Sequence, residues 1–486
     1  MMKLSQLLRG IQVRESSADM EMEISGVSYD SRKTAPGDLF VAMAGYETDG
    51  HKFIPMAREK GAVCVLCQEK PQGEGPYVLV EDSRLALAQV GQNWYGDPAA
   101  SMKMIGVTGT NGKTTTTYLL KDILEQAAGA KVGLIGTNQN MIGSEVLPTE
   151  RTTPESFELQ GLLRRMADGG CTHVVMEVSS HALYLKRVEG IHFAVGIFTN
   201  LTQDHLDFHK TMENYCDAKA MLFTRCDVGV YNRDDPWAQR LMDGATCRRV
   251  SIGEHEADLA ARNIQLDAEG VSFDAVTAEE TVPVHVGIPG GFMVYNTLGV
   301  LAAAQALGVS LGDSAHILLH SAHVKGRVEV VPTPGDYTML IDYAHTPDAL
   351  ENVLTSARGF AKGRVVALFG CGGDRDRTKR PKMGRIAAKL ADFVIVTSDN
   401  PRTEDPEAII EEILTGMADT NTPYAVVPNR VEAIHYAMDH ARSGDVIILA
   451  GKGHETYQII GHEKRHLDER EVVADYIHAL QQKERT

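Results

Sequence analysis

The chain has 486 residues, length for roughly three domains, and its 43% apolar content can fill several packed cores. A formal net charge of −17 excludes the diffuse basic surface typical of nucleic-acid binders, so any polyanionic ligand must be held locally by glycine loops, helix N-termini and a few cations. No apolar run is long enough to span a bilayer, and the polar-interrupted start MMKLSQLLRGIQV predicts no signal peptide.

Taken in chain order, residues 1–98 hold short strands and turns, ISGVSYDSR, GDLFVAM, AVCVLC and YVLVED, ending in the connector Tyr95-Gly96-Asp97-Pro98. Cys64-Val-Leu-Cys67 is the one close pair among seven scattered cysteines. It lies in a strand-like run and predicts buried strand rather than a zinc or redox site, and scattered thiols suit a reducing cytoplasm. From 99 to 331 strand and helix patterns alternate, with strands expected at KMIGVTG, KVGLIGT, HVVMEVS, FAVGIFT and DVGVYN. That alternation predicts a mostly parallel sheet with helices on both faces. A second break is read at Val331-Pro332-Thr333-Pro334-Gly335-Asp336. Residues 332–486 then repeat the alternation through YTMLIDYA, RVVALFG, FVIVTS, YAVVP and DVIILAG, a second, Rossmann-like doubly wound sheet. The expected class is therefore α/β with three domains, the first the smallest.

The strongest chemical signal is the stretch Gly106-Val-Thr-Gly109-Thr110-Asn111-Gly112-Lys113-Thr114-Thr115 between a strand and a helix. Glycines let backbone N–H groups close on phosphate oxygens, the lysine supplies charge, and the hydroxyl after it can hold Mg²⁺. The common form has a glycine five places before Gly112, where this chain has Val107, so the loop is a shorter variant. Downstream, one strand delivers Glu177 with Ser179 beyond it, and the next leads to Asn200-Leu-Thr-Gln-Asp-His205-Leu-Asp207. A carboxylate near a phosphate loop can be a metal ligand. On the residues alone Glu177 could equally cap a helix, His205 could be a turn histidine, and Lys219 reads as a helix-surface lysine. In the last block four strand ends carry polar loops: Asp342-Tyr-Ala-His345, Gly370-Cys-Gly-Gly-Asp-Arg375, Asp399-Asn400-Pro401-Arg402 and Gly451-Lys-Gly-His-Glu455. Ligands of parallel sheets sit beyond such ends, which predicts a binding face.

Together GTNGKTT, MEVSSHAL, NLTQDHLDFH followed by AKAMLF, Gly326-Arg327-Val-Glu, DYAHTP and GCGGDRDRTKRP resemble the Mur ligases, ATP-dependent amide-forming enzymes of peptidoglycan precursor synthesis. The likeness runs from Ser31 to Glu455 and is strongest to the members that add the third residue of the stem peptide; DNPR resembles the form that takes meso-2,6-diaminopimelate. The resemblance implies that ATP phosphorylates the terminal carboxylate of UDP-N-acetylmuramoyl-L-alanyl-D-glutamate and that an amine attacks the acyl phosphate. It implies that Lys113, Glu177, His205 and Lys219 are catalytic, with Mg²⁺ held by Thr114, Glu177, His205 and Lys219, the last as its N6-carboxy (carbamate) form. ATP would meet Gly109 to Thr115, Asn296, Arg327 and Asp342. The UDP-sugar peptide would meet Ser31, Thr152, Thr153, Ser179 and Arg187, with Gly45-Tyr46-Glu47-Thr48 near the uridine. Diaminopimelate would meet Arg375, Asp399, Asn400, Pro401, Arg402, Gly451 and Glu455. The family often has Asn where this chain has Met293, and Leu185 replaces a polar residue of some relatives. A cytoplasmic monomer that binds neither membrane nor nucleic acid is expected. The competing readings are a lysine-adding relative, against which Arg402 argues; folylpolyglutamate synthetase, against which the DSR, TTP and DNPR stretches argue; and a non-enzymatic P-loop switch, which leaves the four polar strand ends unexplained.

Overall fold

A computed structural model describes residues 1–45, 48–267, 269–321 and 324–484. Three main sheets follow one another along the chain. The first has the strand order Val13–Ser16, Tyr77–Val80, Cys64–Cys67, Asp38–Val41, Gly26–Ser28, parallel except for Val13–Ser16. Cys64 and Cys67 are buried in its middle as free thiols, as the strand reading predicts.

The second sheet has eleven strands among the described residues. At its heart Lys103–Thr108 lies between the parallel strands His173–Glu177 and Phe193–Phe198, all rich in buried Val, Ile and Phe as strands covered on both faces must be. The sequence reading missed two outer parts. A hairpin, Asn140–Ile142 and Glu145–Leu147, closes one edge, and Leu259–Asp267, Gly270–Val276 and Thr281–Val286 form an antiparallel arm at the other.

The helix Lys113–Ala127 starts at the phosphate loop, and its buried stripe Leu119, Leu120, Ile123 and Leu124 shares a core with the helix Phe292–Ala306. Cutting one of those leucines to alanine should cost about 2–5 kcal/mol. This burial fixes where the helix N-terminus, and so the loop, points.

The third sheet runs Glu329–Val331, Thr338–Asp342, Val446–Ala450, Val365–Phe369, Phe393–Val396, Tyr424–Val426, parallel except for the first strand. The boundary read at 331/332 falls between the first two strands of this sheet. Glu329–Val331 pairs antiparallel with Thr338–Asp342, so the segment 332–337 is a turn inside the sheet and not a connector ahead of it. Its prolines and glycine serve a reversal between paired strands. A further hairpin absent from the sequence reading, Tyr457–Ile460 with Glu463–His466, stands beside this sheet.

Candidate active site

The loop after Lys103–Thr108 is shaped by two glycines. Gly109 has φ 151°, and a Cβ there would lie 1.9 Å from Thr199 Oγ1; Gly112 has φ 86°, and a Cβ would lie 2.3 Å from Asn296 Oδ1. Both positions exclude side chains, which leaves the loop backbone bare toward a ligand. Lys113 Nζ donates to the carbonyls of Gly109 (2.9 Å) and Thr110 (2.8 Å). Lys219, wholly buried in the helix Met212–Ala220, donates to the same Gly109 carbonyl at 2.9 Å and sits 4.5 Å from the centre of the Tyr215 ring. Burial pushes both amines below the ordinary lysine value, Lys219 far below, and Lys113 adds to the effect on Lys219. A buried helix lysine is thus what the structure has where composition alone suggested a surface one.

Glu177, buried at the end of its strand, accepts from Thr114 Oγ1 (2.9 Å), Thr137 N (2.9 Å) and Thr137 Oγ1 (3.0 Å). Arg327 Nη2 donates to Thr114 Oγ1 at 3.1 Å. Asp342 accepts from the N–H groups of Val328 and Ala344, both at 2.8 Å. His205, half-exposed, has φ 53° just before a short helix and packs edge-on to His181 at 4.8 Å between ring centroids. Thr115 is buried in the first turn of its helix. Thr114, Glu177, Lys113, Lys219, Arg327 and Asn296 therefore converge on one loop. Two residues that the sequence reading passed over tie it down: Asp348, from the third sheet's helix Pro347–Arg358, accepts from Asn111 Nδ2 (2.9 Å) and Thr202 Oγ1 (2.7 Å), and Tyr215 OH lies 3.2 Å from Thr110 Oγ1.

Among the described residues no three His, Cys, Asp or Glu side chains group as metal ligands. The oxygens of Thr114 and Glu177 suit Mg²⁺, which takes one or two carboxylates and completes its shell with water and substrate phosphate. As a free amine Lys219 offers that ion no anionic oxygen.

Toward the first sheet, Thr153 Oγ1 donates to the Glu177 carbonyl (2.9 Å) and accepts from Ser179 N (3.1 Å), while Thr152 Oγ1 lies 3.0 Å from Thr137 Oγ1. Arg187 donates to Glu155 (3.2 Å) and to the Thr153 carbonyl (3.3 Å). Glu155 is also approached by Arg84 at 3.7 Å and Arg151 at 3.9 Å, three guanidiniums around one carboxylate. That excess of positive charge was not legible from spacing, since the arginines come from distant segments. Ser31 is buried, with its hydroxyl 3.4 Å from Met56 Sδ. Of the 45–48 stretch, Tyr46 and Glu47 lie outside the described residues.

At the strand ends of the third sheet, Asp399 and Asn400 are buried and Glu455 nearly so, all bonded to Lys452, a residue the sequence reading did not single out. Arg402, with φ 53°, directs Nη1 to the Gly373 carbonyl at 2.8 Å. Gly373 N in turn donates to the Asn400 carbonyl at 2.9 Å, beside Pro401. The missed hairpin stitches this loop: Arg402 N donates to Ile459 O (3.1 Å), Gly461 N to Arg402 O (2.7 Å) and Ile459 N to Asn400 Oδ1 (2.9 Å). Among the described residues Arg375 donates only to the Asp374 carbonyl (3.0 Å), which leaves most of its guanidinium available.

Family models described as the Mur ligase middle domain, the Mur ligase glutamate ligase domain and the Mur ligase family catalytic domain match residues 107–304, 326–453 and 23–95. The chain is 47% identical over 463 residues to a UDP-N-acetylmuramoyl-L-alanyl-D-glutamate–2,6-diaminopimelate ligase of Clostridium botulinum, covering 94% of this chain and 95% of that one. It is 44% identical over 478 residues to the protein of the same name from Clostridioides difficile, covering 97% and 98%. Among solved structures, one of that name aligns over 99% of both chains with a TM-score of 0.71 at 30% identity. MurF ligase from Thermotoga maritima, solved with ADP, shares the fold at 19% identity and a TM-score of 0.62 over 94% of this chain and 98% of that one.

Proposed function

The chain belongs to the Mur ligase family and is an ATP-dependent ligase, and from that membership we propose that it joins meso-2,6-diaminopimelate to UDP-N-acetylmuramoyl-L-alanyl-D-glutamate in the cytoplasm. The observation that carries the reading is the pairing of two sites: a phosphate loop lined by Lys113, Thr114 and Arg327, and a second face where Arg402 stands beside buried Asp399 and Asn400 and the largely covered Glu455. Among the described residues no helix is long and apolar enough to cross a membrane.

In the first step a γ-phosphoryl group passes to the terminal carboxylate of the UDP-peptide, and the P–O bond to ADP breaks. Two anions must meet. Lys113 lies where it can leave its loop carbonyls for phosphate oxygens and offset that repulsion. Thr114 and Glu177 would hold Mg²⁺, whose charge lowers the same barrier. Asn296 and Asp342 border the nucleotide. Thr152, Thr153, Ser179 and Arg187 hold the peptide end of the acceptor, and Ser31 the nucleotide-sugar end in the first unit.

The amine of diaminopimelate then attacks the acyl carbon, the C–N bond forms, and phosphate leaves. Arg402 and Arg375 pair the far carboxylate and Glu455 the far ammonium, a two-pronged arrangement suited to a zwitterion.

Lys219 completes the phosphate site as a carbamate. Burial, with Lys113 nearby, lowers its pKa well below the ordinary lysine value and so favours the free amine, whose lone pair can attack CO₂. An N–C bond forms as one C–O π bond of CO₂ opens onto its oxygen, and one N–H proton passes to water; the resulting carboxylate would offer a metal the anionic oxygen that the amine lacks. Three units divide this work, 1–98, 99–328 and from Glu329 onward, with the last joint moved ahead of the strand that pairs with Thr338–Asp342.

The test is phosphate release in a coupled assay with the UDP-peptide and a panel of diamino acids. Turnover requiring both, with diaminopimelate preferred to lysine, is the expected result. ATP hydrolysis indifferent to the amino acid would overturn the proposal.

A further inference from the structure

Lys452 is a wholly buried lysine whose three ammonium hydrogens each meet an acceptor: Asp399 Oδ1 at 3.1 Å, Asn400 Oδ1 at 3.0 Å and Glu455 Oε2 at 3.1 Å. Asn400 closes the ring by donating from Nδ2 to the same Glu455 Oε2 at 2.9 Å. Every bond uses one oxygen of each carboxylate. The other two, Asp399 Oδ2 and Glu455 Oε1, take no hydrogen bond among the described residues. Gly451 sits beside the first of these, where a Cβ would lie 3.6 Å from Asp399 Oδ2. Burial alone would push the Asp399 carboxyl up, but the charges of Lys452 and Arg430 overcome this and hold it below the ordinary carboxylate value. Arg430 is itself committed to Glu469 at 2.8 Å, both wholly buried. Asp399, Glu455 and Lys452 therefore sum to one net negative charge.

A buried charge sum of −1 is costly unless something matches it. A ligand with one ammonium at this position matches it; a ligand without one leaves the two spare oxygens facing nothing. We propose that Lys452 is a positioning residue for specificity: it takes one oxygen from each of two carboxylates, aims the others at the far ammonium of the amino-acid substrate, and trims the pocket to the charge of a single cation. This rests on the diamino-acid reading above and adds to it the group that enforces the second amine.

The experiment compares meso-diaminopimelate with 2-aminopimelate, which has the same carbon chain and both carboxylates but lacks the second amine. Wild type, Lys452→Met, Glu455→Gln and the double variant are assayed as full-length protein, and the ratio of kcat/KM between the two substrates is read. Lys452→Met should lower that ratio roughly tenfold or more, with the KM for ATP unchanged. A merely structural loss would depress both substrates alike and leave the ratio in place. Because Lys452 acts through both Asp399 and Glu455, the double variant should lose less than the product of the two single losses while still discriminating less than Glu455→Gln alone. Lys452→Gln is assayed in parallel and should also lose discrimination, so that the test holds even where Lys452→Met folds poorly. An undiminished ratio in the folded lysine variants, or losses that multiply in the double variant, would overturn the assignment of Lys452. A wild type that turns over no diamino acid would instead overturn the substrate reading.

Discussion

The phosphate loop and the amine pocket both hold buried lysines, and they hold them in opposite ways. Lys113 and Lys219 lean on neutral carbonyls, two of their three bonds falling on the one oxygen of Gly109. Lys452 is saturated by two carboxylates and an amide. An amine held only by neutral carbonyls is easily taken by a better acceptor, whereas an ammonium locked between carboxylates is not. The lysines of the first region therefore have bonds that a stronger acceptor would displace. The second is built to stay as it is and to leave a fixed, small charge for the ligand to meet.

The largest test of that contrast is Lys113→Met. If the loop lysine moves to the transferring phosphate, kcat/KM for ATP should fall about 10²–10³-fold, measured by phosphate release, with circular dichroism unchanged. Lys219→Ala comes next, with activity down on the order of 100-fold. Equilibration with ¹³CO₂ should give a carbamate resonance in the wild type that this variant lacks; a fully active wild type without that resonance would remove Lys219 from the metal site. Arg402→Ala should cut kcat/KM for diaminopimelate by about 30-fold or more, the cost of leaving a buried carboxylate unpaired, while the KM for ATP stays put. A shift in the ATP constant instead would show that the two regions are not separable.

The smallest effect concerns the ground between them. Burial, with Arg327, Arg470 and Lys325 nearby, lowers the His454 imidazole to about 4. The unfolded chain takes up a proton near pH 6.5 that the native state refuses until about 4. Stability should thus be flat above pH 6.5 and fall as pH drops toward 4, by at most ~1.4 kcal/mol per pH unit for this group. His181 and His209, also lowered to about 4, share the sign. Urea midpoints between pH 7 and 5 should decline less steeply in His454→Phe than in the wild type.

What the sequence disclosed follows the same division. The phosphate loop is one continuous stretch whose glycines, lysine and hydroxyls carry their chemistry in order, and its flanking strands are unbroken apolar runs covered on both faces. The arm Leu259–Asp267, with polar residues outward along much of its length, and the hairpin Tyr457–Ile460 with Glu463–His466, where no residue is buried, give no such pattern. Glu329–Val331 was split from its sheet because a Pro-Thr-Pro-Gly run reads as a linker until its pairing partner is known. Lys452, Asp348 and Arg84 were silent for a related reason. Each gains its meaning from partners brought close only by folding: Asp348 reaches Asn111 across 237 positions, and no local spacing encodes that.

Val328 has a φ of 45°, which a β-branched side chain enters only at a cost on the order of 1–3 kcal/mol. It stands where the chain leaves the central sheet for the third, directly after the arginine that touches Thr114 and directly before Glu329–Val331. The bond from its N–H to Asp342 keeps it there. The joint is therefore a cocked spring with Asp342 as its catch. Because Arg327 is the adjoining link, any rotation of the backbone at Val328 would carry with it the guanidinium that touches Thr114, so the setting of this joint and the shape of the loop are one mechanical variable.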